Sequence, residues 1–203
     1  MMIDEIVLAT RNKHKVAEIK HILQGIPVKI SSVDDYPGTP EVIEDGETLD
    51  ENAAKKAREV ALHLKKWALA DDTGLEVAFL NNEPGVYSAR WAGEGCTYAD
   101  NNKKLLNLLK NVSKEKRKAA FRCVIALSDP EGNFQCVEGR IDGEIAEELS
   151  GKNGFGYDPM FLVPKLSKTF AELDWEEKNN ISHRSRALNK MKAKIEQLVS
   201  SKS

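Results

Sequence analysis

The sequence contains little cysteine and no long hydrophobic run. Its three cysteines, Cys96, Cys123 and Cys136, lack the spacing of a metal site, and their odd number favours unbridged, buried thiols over a disulfide framework. No stretch approaches the ~20 consecutive apolar residues that a transmembrane helix needs. Asp4 and Glu5 stand where a signal peptide would be basic and then apolar. We therefore expect a cytoplasmic protein that binds no membrane.

An excess of charge of one sign is also absent. Lys and Arg number 30 and Asp and Glu number 32, which gives a formal net charge of −2. Proteins that bind nucleic acid usually carry a basic excess, so we expect a small molecule as the partner and no nucleic acid. The hydrophobic fraction of 41% in 203 residues is sufficient for a substantial core.

Glycine is missing from the first polar segment of the chain. This segment, which we call the basic loop, lies between a predicted strand at 6–9 and a helix-like pattern beginning at Val16, and it contains Thr10, Arg11, Asn12, Lys13, His14 and Lys15. The N–H groups and the positive dipole end of a helix start favour phosphate binding. Without glycine the loop matches neither the P-loop nor the dinucleotide fingerprint, so side chains would hold much of any phosphate. A lysine-rich loop that is simply solvated is the alternative.

Two adjacent acids follow a short apolar run in the middle of the chain. The run 67–70 predicts a buried strand that ends in a loop at Asp71, Asp72, Thr73 and Gly74, and 75–80 predicts the next strand. Neighbouring carboxylates repel each other and are stable in the ionised form only near a cation or several N–H donors, which suggests bound Mg²⁺. The alternative is a solvated acidic turn.

Further acids precede a long amphipathic helix. Thr48 is its predicted N-cap, and Glu51 is the capping-box partner. Glu44 and Glu47 stand just before this helix, where acids usually interact only with the helix dipole. A carboxylate from this segment could still complete a metal site with Asp72, because Mg²⁺ binds one or two carboxylates together with water and substrate phosphate.

Two segments near the C-terminus combine aromatic and basic residues. The glycine-rich loop 151–159 holds Phe155 where it could stack on a planar base, although a simple tight loop is the alternative. Lys178, His183 and Arg184 cluster around a predicted helix start after Ser182. The helix dipole disfavours basic groups there, so these three residues indicate an anionic or acceptor-rich ligand.

Taken together, six motifs resemble the inosine triphosphate pyrophosphatase family, which removes non-standard purine nucleotides from the nucleotide pool. The resemblance spans nearly the whole chain in the family's order. The motifs are Thr10-x-Asn12-x-x-Lys15, Glu51-Asn52-Ala53, Ala70 to Leu75, Pro84 to Arg90, Gly154 to Pro159 and Ser182-His183-Arg184.

The resemblance implies an α/β fold with a long central mixed sheet and helices, arranged as two lobes around a nucleotide cleft. It implies a single two-lobed domain over residues 1–203 and a homodimer. The implied reaction is Mg²⁺-dependent hydrolysis of a nucleoside triphosphate to the monophosphate and pyrophosphate, with dITP, ITP and XTP preferred.

The resemblance also assigns residue roles. The basic loop would hold the triphosphate, Asp72 would bind metal and accept a proton from the attacking water, and Thr73 would contact substrate. The family often has Glu at the position of Ile43, so the second metal carboxylate is assigned here to Glu44, with Glu47 as the alternative. The residues expected around the nucleoside are Phe155, Gly156, Tyr157, Asp158, Lys178, His183 and Arg184.

Two rival functions remain. One is a structurally similar pyrophosphatase that acts on modified pyrimidine nucleotides. The other is a nucleotide-sensing module without catalysis.

Overall fold

The structure is a computed structural model, and it describes residues 3–200. Helices and strands alternate along the first half of the chain, as expected for an α/β protein. The helices in the described range are α1 (Lys13–Ile22), α2 (Leu49–Leu64), α3 (Tyr98–Leu108), α4 (Trp175–Ile181) and α5 (His183–Ser200). The strands are β1 (Glu5–Leu8), β2 (Lys29–Ser32), β3 (Trp67–Val77), β4 (Pro84–Gly85), β5 (Lys118–Ser128), β6 (Phe134–Ile145), β7 (Phe161–Val163) and β8 (Lys168–Thr169).

The strands of the described chain form one open, mixed sheet. Their order is β2-β1-β3-β5-β6-β7-β8, and β4 pairs with β3. β1 is parallel to both β2 and β3, whereas β4 runs antiparallel to β3, and β7 runs antiparallel to β6 and β8. The central mixed sheet predicted by the family resemblance is therefore confirmed. None of the helices within residues 3–200 is long and apolar enough to span a membrane.

Side-chain caps fix where the main helices begin. The Glu51 N–H donates to the Thr48 hydroxyl, and the Glu51 carboxylate accepts from the Thr48 N–H, so the predicted capping box of α2 is confirmed. Thr97 and Asp100 form the same reciprocal pair at α3. Each pair satisfies N–H groups that have no partner inside the helix.

The two central acids lie inside a strand, not at its end. β3 runs without interruption through 11 residues, so the predicted acidic loop at 71–74 is wrong. The predicted strand at 75–80 is also wrong beyond Val77, where a 3₁₀ turn covers Ala78–Leu80. The physical reason is that buried cations compensate the Asp71 charge, so that the chain stays in the sheet.

The chain divides into two compact units, and the prediction of a single two-lobed domain stays a prediction. The first unit comprises the described residues up to Asp72, then Cys123–Gly139 and the described residues from Arg184 onwards. Its main core contains buried residues of β1, β3, α1 and α5, such as Leu69, Ile19 and Leu188. The second unit comprises Thr73–Arg122 and Arg140–His183. Its core is more aromatic and is formed around Phe121, Phe161 and Phe170.

Candidate active site

The basic loop leads directly into α1, and Asn12 is the N-cap of this helix. The Asn12 side-chain oxygen accepts hydrogen bonds from the N–H groups of His14 (3.0 Å) and Lys15 (3.3 Å). Two of the N–H groups predicted to be available to phosphate are thus already engaged. Phosphate binding here would consequently depend more on side chains. Lys13 and His14 are both exposed, so their side chains are accessible to a ligand.

The Lys15 side chain points into a buried chain of alternating charges. Its ammonium lies 3.0 Å from the Asp71 carboxylate, and the Nε atom of Arg184 lies 3.3 Å from the same carboxylate. The Arg184 guanidinium also donates to Glu18 on α1. Burial alone would raise the pKa of Asp71, but the charges of Lys15, Arg184 and Lys56 hold it well below its ordinary value.

A second ionic cluster lies on the opposite face of β3, because successive side chains of a strand alternate between faces. Lys56 of α2 donates to Glu44 and to the main-chain oxygen of Asp71 (2.7 Å), and its ammonium lies 3.6 Å from Asp72 Oδ1. Burial raises the pKa of Asp72, and the charge of Glu44 adds to the increase against the opposing effect of Lys56. The pKa values of the neighbouring carboxyl groups Asp71 and Asp72 are thus shifted in opposite directions.

A cavity of about 240 Å³ in the first unit joins the basic loop to this second cluster. Its lining includes basic-loop residues together with Glu44 and Lys56. The complete lining is Ala9, Thr10, Arg11, Asn12, Lys15, Val33, Pro40, Glu41, Val42, Glu44, Lys56 and Val60. The cavity brings together residues that the sequence analysis assigned to phosphate and to metal.

Lys56 is not among the site residues predicted from the sequence. It lies between Ala53 and Val60 on the apolar face of α2, and its side chain is 10% exposed. A lysine at a position where the helical pattern demands an apolar residue is the feature that could have revealed it.

Arg11 differs from its neighbours in the basic loop. Its guanidinium donates to the main-chain oxygen of Thr39 (2.9 Å) and lies 3.5 Å from the Asp34 carboxylate. These contacts fix the side chain against the segment that follows β2.

The oxygen donors of the second cluster fit Mg²⁺. No group of three or more His, Cys, Asp or Glu residues within residues 3–200 could hold a metal ion. Mg²⁺ nevertheless binds through one or two carboxylates and keeps water or phosphate as its other ligands. Asp72 and Glu44 flank the same ammonium, and Glu44 is half-buried whereas Glu47 is exposed. The geometry favours Glu44 over Glu47 as the second carboxylate.

In the second unit, Asp158 organises the glycine-rich loop. Its carboxylate accepts from the Phe155 N–H (2.8 Å) and from the Lys178 ammonium (2.7 Å). Gly154 has φ +76°, and a Cβ there would lie 2.0 Å from Asp158 Oδ2. Lys178 belongs to α4, a helix that the sequence analysis did not predict, and its ammonium lies 5.0 Å from the centroid of the Phe155 ring. Aromatic ring and cation are therefore held together by one buried acid.

The remaining predicted nucleoside residues of this unit are largely buried. The His183 imidazole stacks on Phe121, with the ring centroids 4.6 Å apart. The Tyr157 hydroxyl donates to the main-chain oxygen of Ser88 (3.0 Å), and burial raises the pKa of this phenol. Thr73, on β3, is half-buried, and the main-chain oxygen of Gly156 accepts from Asn102.

Comparisons with known proteins agree with the motifs. The chain is 51% identical over 186 residues to the dITP/XTP pyrophosphatase of Desulforamulus reducens, covering 92% of each protein. It is 52% identical over 188 residues to the dITP/XTP pyrophosphatase of Thermoanaerobacter sp. strain X514, covering 93% of this chain and 94% of that protein.

A HAM1 protein from Coxiella burnetii has a similar structure, with a TM-score of 0.88, 43% identity and coverage of 97% of this chain and 100% of that one. The model of the Ham1 family matches residues 6–194. The family resemblance found in the motifs is thereby confirmed, and this chain belongs to the Ham1 family.

Proposed function

We propose that this protein hydrolyses non-standard purine nucleoside triphosphates, namely dITP, ITP and XTP, to the monophosphate and pyrophosphate. The observation that carries the proposal is the cavity whose lining combines basic-loop residues with Glu44 and Lys56. A triphosphate needs several cations, and the carboxylates beside Lys56 provide ligands for one more. The relatives named dITP/XTP pyrophosphatase support the choice of base.

The phosphate chemistry follows from the first unit. Lys15 and Lys56 line the cavity and supply positive charge that favours the triphosphate and the departing pyrophosphate. Asp72 and Glu44 would hold Mg²⁺, which when bound stabilises charge that develops on phosphate oxygens. A carboxylate oxygen of Asp72 takes the proton of the water that attacks the triphosphate. Burial raises the proton affinity of this carboxylate and so suits it to that role.

Phe155 and Lys178 support the nucleoside contacts that the family resemblance implies. Phe155 offers a half-buried aromatic ring for stacking, and Lys178 beside it offers hydrogen-bond donors to an oxygen-rich base. Inosine and xanthosine carry a 6-oxo acceptor where adenine carries a 6-amino donor, so donors at this position favour the former. His183 and Arg184 remain predicted base contacts.

We extend the proposal to a Mg²⁺-dependent homodimer in the cytoplasm. The family resemblance supports the dimer, and the composition supports the location. Light scattering of the purified protein measures the first: a mass near twice 22.6 kDa is expected, and a monomer would contradict it.

A panel of nucleotides tests the proposed function. We expect pyrophosphate release from dITP, ITP and XTP in the presence of Mg²⁺ to exceed by far the release from ATP. Preferred turnover of dUTP would support the pyrimidine-specific class instead. Binding of these nucleotides without turnover of any would support the sensor.

A further inference from the structure

The segment 44–48, which we call the acidic loop, is bonded residue by residue to the first two turns of α2. Every one of its five residues contacts a side chain of that helix. The pairs are Glu44 with Lys56, Asp45 with Lys55, Gly46 with Asn52, and both Glu47 and Thr48 with Glu51. Glu44 is therefore presented from a loop whose backbone the helix defines.

The contact between Asn52 and Gly46 is made by a side chain that is fully buried. Asn52 is 0% exposed, and its Oδ1 accepts from the Gly46 N–H at 2.8 Å. A Cβ at position 46 would lie 2.7 Å from Asn52 Oδ1 and 2.8 Å from the Cβ of Glu51. The close approach requires glycine, and it fixes the main chain two residues after Glu44.

The contacts of Asp45, Glu47 and Thr48 are less suited to hold the loop, whereas Lys56 holds the Glu44 side chain and not its main chain. The pair between Lys55 and Asp45 is largely exposed, and such pairs contribute little in water. Glu51 is exposed as well. The hydrogen bond that Asn52 accepts ends on a fully buried side chain, where the lower local dielectric strengthens it.

We propose that Asn52 is a positioning residue for the Glu44 carboxylate and thus for the metal ion that Glu44 and Asp72 would hold. The proposal rests on the proposed function. Asn52 acts through its Oδ1 atom, since Nδ2 has no hydrogen-bond partner within residues 3–200. Removing Oδ1 releases Gly46 and lets Glu44 move from its place beside Lys56.

The chain contains a matched control in α3. Asn101 follows Thr97 and Asp100 as Asn52 follows Thr48 and Glu51, and its Oδ1 accepts from the Ala92 N–H at 2.8 Å. Asn101 is also buried, but it belongs to the second unit. Asn101→Leu therefore removes a similar bond, and also the bond from Asn101 Nδ2 to the Ala89 oxygen, where no metal carboxylate depends on them.

The experiment compares Asn52→Leu, Asn52→Asp, Gly46→Ala and Asn101→Leu with the wild type. Two quantities are measured: the Mg²⁺ concentration for half-maximal XTP hydrolysis, and Mn²⁺ binding without nucleotide by electron paramagnetic resonance. Asn52→Leu should weaken both by at least about tenfold, the usual effect of losing an outer hydrogen bond at a metal site. Gly46→Ala should also weaken both quantities, because the added Cβ would push the acidic loop away from Asn52. Asn52→Asp keeps the oxygen acceptor, so both quantities should lie closer to the wild-type values than in Asn52→Leu.

Asn101→Leu should lower the melting temperature without changing either metal measurement. Unchanged metal measurements in folded Asn52→Leu, or an equal change in Asn101→Leu, would overturn the positioning role. If wild type binds Mn²⁺ but hydrolyses no nucleotide, the proposed function fails while the Mn²⁺ comparison still decides the role of Asn52. Gly46→Ala keeps the question open to test if Asn52→Leu does not fold.

Discussion

On one face of β3 the Asp71 carboxylate meets the Lys15 ammonium and the Arg184 guanidinium, at 3.0 and 3.3 Å. On the other face Asp72 lies 3.6 Å from the Lys56 ammonium, which is hydrogen-bonded to the competing carboxylate of Glu44. The first face stabilises the ionised form of Asp71. On the second face the ionised form of Asp72 is disfavoured. Two adjacent residues of one type thus have pKa values shifted in opposite directions.

This difference separates a framework charge from a reactive one. A carboxyl group whose folded-state pKa is lowered adds stability at neutral pH, whereas one whose pKa is raised subtracts from it. Carboxyl groups with a raised pKa are typical of functional sites. Their unfavourable ionised form is stabilised when a ligand cation binds, or is removed when a proton is transferred to them. We therefore assign chemistry to the Asp72 face and structural support to the Asp71 face.

The largest expected effect is that of Asp72→Asn on catalysis. The amide keeps the shape but removes the charge that would hold Mg²⁺ and accept a proton, so pyrophosphate release should fall by ~10²-fold or more. The melting temperature should not fall, because the charged form of Asp72 is disfavoured in the folded protein. A pyrophosphate assay with circular dichroism measures both, and activity near that of wild type would remove Asp72 from the mechanism.

Asp71→Asn should mainly lower the melting temperature, in contrast to Asp72→Asn, which should mainly lower activity. The Asp71→Asn change removes the buried negative charge that Lys15 and Arg184 share, at a site where the Asp71 side chain is 0% exposed, and leaves Arg184 with Glu18 alone. Breaking buried pairs of this kind costs about 3 to 5 kcal/mol, which corresponds to roughly 10 °C in melting temperature for a chain of this size. Thermal unfolding beside the matched Asp72→Asn variant checks the result, and equal melting temperatures would contradict the assignment of the two faces.

Arg184→Ala tests the Asp71 face by removing the guanidinium that lies beside Asp71. It should lower the melting temperature, because Glu18 and Asp71 lose a buried cation. The predicted base contact makes an additional demand: the specificity constant for ITP should fall more than that for ATP, by about the ~1–3 kcal/mol of a good base contact. Equal losses for the two substrates would restrict Arg184 to the ion-pair chain.

The smallest effect is expected for Lys15→Ala. Lys15 lines the cavity and is 18% exposed, so its loss should raise the Michaelis constant for ITP severalfold by weakening the hold on phosphate. The melting temperature should fall less than in Asp71→Asn, since Arg184 still faces Asp71. Lys20→Ala, an exposed site on the same helix, is the control and should change neither quantity. An unchanged Michaelis constant with a lower melting temperature would make Lys15 purely structural.

Local chemistry explains what the sequence could predict. Thr48 and Glu51 identify the start of α2 because a capping box is complete within four residues. The spacing of Val16, Ile19 and Ile22 predicts α1 for the same reason, since a helical face depends only on near neighbours. The family motifs add the mixed sheet, which local patterns do not specify.

The errors have non-local causes. The continuation of β3 through the acids depends on Arg184, which lies 113 positions away in the chain. Lys56 became part of the site through contacts with Glu44 and Asp72, neither of which its helix contains. Helix α4 was missed because it is only seven residues long, too short to show a periodic pattern.

The most direct test of the proposed activity is to follow XTP with Mg²⁺ and the wild-type protein by phosphorus NMR. Cleavage between the α- and β-phosphates predicts that the monophosphate and pyrophosphate appear in equal amounts while the triphosphate disappears. Formation of the diphosphate and inorganic phosphate, or no change in the triphosphate, would contradict the assignment of this chain as a pyrophosphatase.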